Sequence, residues 1–192
     1  MRLTPEVVLY GYRIGVFPMA DPEDDEIYWY SPDPRAVIPL DAFHVPKNLE
    51  KLVARSRFEV ASDHDFEGVI RACAERESTW ISEEVIRVYS ALNKRGFAHS
   101  VECWMDGRLV GGLYGVAVGA AFFGESMFHR ETDASKVALV HLVRRLRQGG
   151  YVLLDTQYST RHLEQFGVTQ IPRKEYERLL EEAVAKEATW LM

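Results

Sequence analysis

Asp155 and Gln157 lie two residues apart in an apolar segment, residues 151–158, whose side chains alternate as in a strand. With a period of two, Leu153, Asp155 and Gln157 point to one face and Leu154 to the other. The Asp155 carboxylate can accept a hydrogen bond from the Gln157 amide NH₂, which leaves the amide oxygen free to accept from a substrate N–H. Alternatively, Asp155 caps or hydrogen-bonds a neighbouring loop, because buried polar groups must be paired. The spacing is compatible with both a substrate site and a structural carboxylate.

Glu125 lies among apolar residues at the end of a second predicted strand, in the sequence FFGESMF of residues 122–128. A carboxylate in such surroundings is costly to bury without a partner. Two partners are open from the residues alone. Glu125 could meet a substrate amine, or it could form an ion pair with Arg130 or Lys136, and we favour the ion pair.

Other common catalytic patterns are missing from the sequence. The six histidines show no HExxH spacing, and there is no GxSxG motif. Cys73 and Cys103 form no CxxC pair and read as buried free thiols. The glycine-dense residues 111–115 lack the spacing of a phosphate-binding or dinucleotide-binding loop. We therefore expect no metal and no bound cofactor.

The elements that must position these residues predict an α+β fold. Thr4 and Pro5 are typical of a helix start, and Gly15 of its end. Residues 17–39, rich in proline, predict an irregular, partly buried segment, and Pro46 opens a short helix. Helices at 65–74, 82–96 and 133–148, hairpins between 99 and 127, a strand at 151–158 and a final helix after Pro172 follow. We expect a small N-terminal domain (residues 1–56) and a main domain (57–192) with a mixed sheet flanked by helices.

Composition and charge limit the kinds of partner that the protein can have. The 192 residues carry a formal net charge of −6, which disfavours wrapping of long nucleic acids but permits a short local contact. Arg144, Arg145 and Arg147 form a basic group that could hold a short piece of nucleic acid, although we favour a solvated helix face. No apolar run approaches the roughly 20 residues of a membrane helix, and no secretion signal is visible. We expect a cytoplasmic protein.

Eight short segments together resemble the leucyl/phenylalanyl-tRNA–protein transferase family. Each is modest alone, but they occur in the family's order across about three quarters of the chain. They are GVFPM at 15–19, WYSPDPR at 29–35, TWI at 79–81, HSVECW at 99–104, LVGGLYG at 109–115, FGESMF at 123–128, DASK at 133–136 and LDTQ at 154–157. Met19 differs from the family pattern, in which a tryptophan is common after the Phe-Pro pair.

The resemblance implies a main domain like that of the N-acetyltransferase (GNAT) superfamily, preceded by a smaller N-terminal domain. It implies leucyl-tRNA and phenylalanyl-tRNA as donors, acceptor proteins that begin with Arg or Lys, and a product marked for degradation through the N-degron pathway. Asp155 and Gln157 match the catalytic pair, and Glu125 matches a polar residue beside the reacting centre.

The resemblance also implies the binding residues of the donor. Leu113, Met127 and Leu154 match an apolar pocket for the donor side chain. Around the 3′ end of the tRNA, Trp80 matches an aromatic residue near the terminal adenosine, and Tyr12 and Tyr89 match further site residues. For the body of the tRNA, the candidate contact is the basic group of Arg144, Arg145 and Arg147.

The implied reaction suits these residue types. The donor is an activated ester, so neither ATP nor a metal is needed, and the enzyme must mainly align the amine and stabilise the oxyanion. Three alternatives stay open: the same chemistry on acidic N-termini (Asp or Glu), an acetyl-CoA-dependent acetyltransferase, and a non-catalytic binder of aminoacyl-tRNA. An acetyltransferase would need a glycine-rich loop to bind the pyrophosphate of the cofactor, and residues 128–133 contain no glycine.

Overall fold

The computed structural model describes residues 3–24 and 26–191. The helices in these residues are α1 (Pro5–Arg13), α2 (Lys47–Ala54), α3 (Phe66–Ala74), α4 (Glu83–Lys94), α5 (Ala134–Gln148), α6 (Arg161–Glu164) and α7 (Arg173–Val184). The strands are β1 (Phe17–Ala20), β2 (Ile27–Tyr30), β3 (Arg35–Ile38), β4 (Glu59–Ser62), β5 (Ala98–Met105), β6 (Arg108–Val118), β7 (Ala121–His129), β8 (Leu153–Gln157) and β9 (Thr169–Ile171).

A seven-stranded sheet in the order β4-β5-β6-β7-β8-β3-β9 forms the centre of the molecule. Its neighbours pair antiparallel except β7 and β8, which are parallel. Apolar side chains of α1, α3, α4 and α7 cover one face, and those of α2, α5 and α6 cover the other. The fold is therefore α+β, with a mixed sheet flanked by helices, as the sequence predicts.

Local capping explains why several helices begin where they do. The Thr4 hydroxyl accepts from the Val7 N–H ahead of Pro5, the Asp65 carboxylate accepts from the Gly68 N–H, and the Ser82 hydroxyl accepts from the Val85 N–H. Each bond satisfies an N–H that the first turn of a helix leaves without a partner. The predicted starts of α1, α3 and α4 are confirmed.

Two expectations about the strands are wrong. Residues 17–39 are not irregular: β1 and β2 form a small antiparallel sheet, and β3 lies within the main sheet between β8 and β9. The hairpins expected between residues 99 and 127 are not two separate strand pairs, because they share one long strand, β6 (Arg108–Val118). Because β3 belongs to the main sheet, the sheet draws on both predicted domains, and the division at residue 56 stays a prediction.

The sheet opens between β7 and β8. Their parallel pairing covers only three positions, from Ala121 with Leu153 to Phe123 with Asp155. Beyond that point, each strand has a bulge against its other neighbour, with Glu125 the extra residue in β7 and Thr156 the extra residue in β8. A bulge adds a residue to one strand and re-aims its side chains. The two strand ends separate here, and a cavity lies between them.

Candidate active site

A cavity of about 450 Å³ lies between the separated ends of β7 and β8 and extends to the start of α5. Its polar floor includes Glu125 and Gln157, its walls are mostly apolar, and Trp80 and Tyr158 also line it. Gly115, opposite the β7 bulge, has no room for a side chain, since a Cβ there would lie 2.3 Å from the Phe123 carbonyl oxygen. The bulge that presents Glu125 thus depends on a glycine across the strand pair.

Asp155 lies behind this floor in a closed network of hydrogen bonds. Both of its carboxylate oxygens face Arg35, with Arg35 Nε at 3.0 and 3.1 Å and Nη2 at 2.8 Å. The Tyr176 hydroxyl donates to Oδ2 at 2.6 Å, and the Gln157 backbone N–H donates to Oδ1 at 2.8 Å. The side chains of Arg35 and Asp155 are 1% and 0% exposed. Asp155 is therefore a buried structural anion that fixes the backbone of Gln157.

This network corrects the predicted geometry of the pair. The Gln157 amide does not bond Asp155, because its Nε2 donates to Glu125 Oε1 at 2.7 Å. Gln157 has a φ of 63°, in the left-handed region that residues other than glycine seldom adopt. The backbone turn takes its side chain out of the strand alternation and towards β7. Backbone strain of this kind clusters at functional sites.

Glu125 is enclosed, and one of its oxygens is free. Among the described residues, Oε2 has no hydrogen-bond partner, while Oε1 accepts from Gln157. Burial raises the pKa of Glu125 to about 7, against hydrogen bonds that favour the charged form. The favoured ion pair is wrong, since Arg130 bonds Glu75 and Lys136 bonds Asp133. Glu125 thus faces the cavity without a cation.

Tyr12 and Tyr89 lie behind Glu125 and not at a tRNA-accessible surface. Both are 0% exposed, and their hydroxyls lie 2.6 Å apart in a hydrogen bond. The Tyr12 hydroxyl also favours the charged form of the Glu125 carboxylate. Direct contact with the 3′ end of a tRNA, which the resemblance implied, is therefore corrected. The two tyrosines support Glu125 from the α1 and α4 side.

The apolar wall contains all three residues predicted for the donor side chain, Leu113, Met127 and Leu154. The sequence reasoning missed three more leucines that extend the wall, and they are Leu139, Leu142 and Leu163. Leu139 and Leu142 are three residues apart on α5, so the helical period was the available signal. Leucine and methionine side chains thus form an apolar wall next to the polar floor.

The sequences of known proteins identify the lineage. The family model described as "Leucyl/phenylalanyl-tRNA protein transferase" matches residues 37–181, and the model of that family's N-terminal domain matches residues 1–33. The chain belongs to this family. It is an aminoacyltransferase, whose donor is an aminoacyl-tRNA and whose acceptor is a protein.

Two curated relatives show how close the similarity is. The leucyl/phenylalanyl-tRNA–protein transferase of Salinibacter ruber is 57% identical over 98% of this chain and 83% of its own. That of Rubrobacter xylanophilus is 58% identical over 96% of each. Among solved structures, a GCN5-related N-acetyltransferase-like protein from Streptococcus suis is 16% identical, with a TM-score of 0.40 over 86% of this chain and 63% of its own. That likeness is too distant to support a conclusion about chemistry.

The three arginines of α5 differ in their exposure and contacts in the transferase. Arg144 is exposed, Arg145 lies over the Trp190 ring at 5.3 Å, and Arg147 donates to the Leu40 carbonyl. Two of the three are therefore held by contacts within the chain. Binding of the tRNA body at this helix stays a prediction.

Further polar groups at the cavity were not found from the sequence. His162 lines it, and burial together with the charge of Lys136 lowers the pKa of this imidazole. Within residues 3–24 and 26–191, no three His, Cys, Asp or Glu side chains are grouped as a metal site would require. No helix of that same part of the chain is long and apolar enough to cross a membrane.

Proposed function

We propose that the transferase joins leucine or phenylalanine from aminoacyl-tRNA to the N-terminal Arg or Lys of acceptor proteins. The observation that carries this proposal is one cavity with a leucine-rich wall beside a free, buried carboxylate oxygen. The wall accepts an apolar donor side chain, and Glu125 lies on the floor where an amine must arrive. The product would carry a new apolar N-terminal residue and so enter the N-degron pathway. Since the donor is a charged tRNA, we place the reaction in the cytoplasm.

Gln157 and Asp155 have separate roles in this proposal. The Gln157 amide oxygen accepts no hydrogen bond from the described residues, so it can accept from the N–H of the incoming amine. Asp155 does not touch the cavity, and it holds the strained Gln157 backbone through Oδ1. Asp155 is thus a positioning residue, and alignment of amine and ester is the main contribution of the pair.

The donor's tRNA needs its own contacts. Trp80 and Met19 line the outer part of the same cavity, and the Ala20 N–H donates to the Trp80 carbonyl at 3.2 Å, which ties this loop to β1. We propose that Trp80 stacks on the terminal adenine, as stacking on an aromatic ring suits any base. Of the α5 arginines, we assign the tRNA body contact to Arg144, which is exposed, whereas Arg147, also exposed, donates to the Leu40 carbonyl.

A basic acceptor is favoured over an acidic one by the electrostatics of the floor. An N-terminal Asp or Glu would bring a second anion to a buried carboxylate that has no cation partner, and like charges in a low dielectric repel. The acetyltransferase alternative is disfavoured by the start of α5, where the Asp133 carboxylate bonds Lys136 and a pyrophosphate would meet an anion.

The test is a transfer assay with radiolabelled leucyl-tRNA and peptides that begin with Arg, Lys, Asp or Glu. We expect label on the Arg and Lys peptides, and a loss of roughly 100-fold in Gln157→Ala, the range for one group that orients the reaction. Gln148→Ala, an exposed glutamine at the end of α5, is the matched control. Label on the acidic peptides alone would overturn the acceptor. Tight binding of leucyl-tRNA with no transfer to any peptide would favour the binder.

A further inference from the structure

We infer that Glu125 accepts the proton of the acceptor amine as the new peptide bond forms, and that Tyr12 and Tyr89 are the positioning residues of its carboxylate. The inference rests on the proposed function and adds the path of the proton. It assigns a chemical step to a residue that a purely structural account would treat as a buried carboxylate.

Asp155 is excluded as the proton acceptor by its own contacts. Arg35 holds both carboxylate oxygens, and Tyr176 and the Gln157 N–H add two further donors. A carboxylate paired with a guanidinium and saturated with donors is a weak base. It is also 0% exposed and is not part of the cavity surface. An amine in the cavity cannot reach it.

Gln157 is excluded by its chemistry, since an amide does not titrate near neutral pH. Its position is nevertheless informative. Nε2 is used on Glu125 Oε1, so the amide oxygen of Gln157 is left as an acceptor directly beside the Glu125 carboxylate, and both residues line the cavity. An attacking amine carries N–H groups that the amide oxygen and the carboxylate can accept. The amide orients the amine, and the neighbouring carboxylate can take a proton.

The surroundings of Glu125 keep it basic enough for this step. The titratable and charged groups that face it come from five elements, and they are Tyr12 of α1, Tyr89 of α4, Tyr114 of β6, Asp155 of β8 and Arg35 of β3. The three tyrosines are neutral, because burial raises the pKa of each. Burial also raises the pKa of Glu125 to about 7. A general base is most effective when its pKa lies near the working pH.

The step balances without any further reactant. The neutral amine attacks the ester carbonyl, the C–N bond forms, and the nitrogen becomes cationic. Glu125 takes one proton from that nitrogen. The bond between the carbonyl carbon and the ribose oxygen then breaks, and the protonated Glu125 returns the proton to the leaving ribose oxygen. The products are the extended peptide and a tRNA with a free 3′ terminal ribose, and Glu125 is again a carboxylate.

The test is the pH dependence of kcat/KM, measured with two Arg-initial peptides whose α-amines differ in pKa. In the wild type we expect kcat/KM to rise with pH in two limbs. One limb, near pH 7, reports Glu125 and is the same for both peptides, and the other moves with the pKa of the peptide α-amine. In Glu125→Gln, the limb near pH 7 should disappear and kcat should fall roughly 100-fold or more, as for loss of a general base. An unchanged limb near pH 7 in this variant would overturn the inference.

Tyr12→Phe provides a second test that does not remove the carboxylate. Since the Tyr12 hydroxyl favours the charged form of Glu125, its loss should move the limb to higher pH. Tyr151→Phe is the control: Tyr151 is also buried but lies outside the cavity, the charge that acts on it is that of Asp63, and the limb should stay in place. A limb that moves equally in both variants contradicts the positioning role. Wild-type transfer to Arg peptides, measured first, separates failure of this inference from failure of the proposed function.

Discussion

Replacing Glu125 by Gln should make the protein more stable at pH 8 while it loses activity. The pKa of Glu125 rises from 4.5 to about 7 on folding, and at about 1.4 kcal/mol per unit this corresponds to about 3 kcal/mol of unfavourable burial for the ionised group. Its raised pKa means that the folded state holds an extra proton between pH 4.5 and 7. The protonated carboxyl group therefore contributes its full share to the free energy of unfolding of the wild type below pH 4.5. This contribution is lost as the pH rises through 7. Glutamine has no such dependence.

The measurement is urea unfolding of wild type and Glu125→Gln at pH 4.5 and pH 8. The difference in unfolding free energy should be small at pH 4.5 and should grow to about 3 kcal/mol in favour of the variant at pH 8, which is a rise in Tm of roughly 6–12 °C. Glu177→Gln, an exposed glutamate on α7, is the control and should show no such growth. A variant that is less stable than wild type at pH 8, or an equal difference at both pH values, would refute the reasoning.

Three further outcomes follow from contacts of the described residues. Arg35→Met should lower the free energy of unfolding in urea by roughly 3–5 kcal/mol, because it leaves the buried Asp155 without its cation. Arg130→Met, which breaks an exposed ion pair, is the control and should lower it by under about 1 kcal/mol. Leu142→Phe should narrow the donor pocket and lower kcat/KM for phenylalanyl-tRNA relative to leucyl-tRNA by roughly tenfold, and equal effects on both donors would contradict the assigned pocket. Trp190→Ala should lower Tm by several degrees, since the indole stacks on His99 and donates to Ser62, and an unchanged Tm would show that the chain end is dispensable.

The elements with strong local signals were predictable from the sequence. The caps of α1, α3 and α4 act within four residues, so the residues that decide them are adjacent in the chain. The alternation of residues 151–158 likewise identified β8 and placed Asp155 on it. These features depend on neighbours in sequence, and periodicity alone detects them.

The features that decide the site depend on distant residues and on backbone geometry. Arg35, the partner of Asp155, lies 120 residues away in a segment that we expected to be irregular. The left-handed backbone of Gln157 redirects its amide to Glu125, and a period-two argument assumes that no such turn exists. The burial of Tyr12 and Tyr89 had a signal that we did not use, since each follows a buried valine of its helix by four residues, on the same helix face.

The place of β3 in the sheet has a consequence for synthesis of the chain. This strand, at residues 35–38, lies between β8 and β9, which are the last two strands of the described chain to leave the ribosome. The β3 segment must therefore wait for most of the polypeptide to emerge before it finds its neighbours, and such non-local pairing is slow. Arg35 reaches Asp155 only at that moment, so a nascent chain that stops before β8 cannot assemble the transfer centre. Catalytic competence thus reports that translation reached at least the final strands.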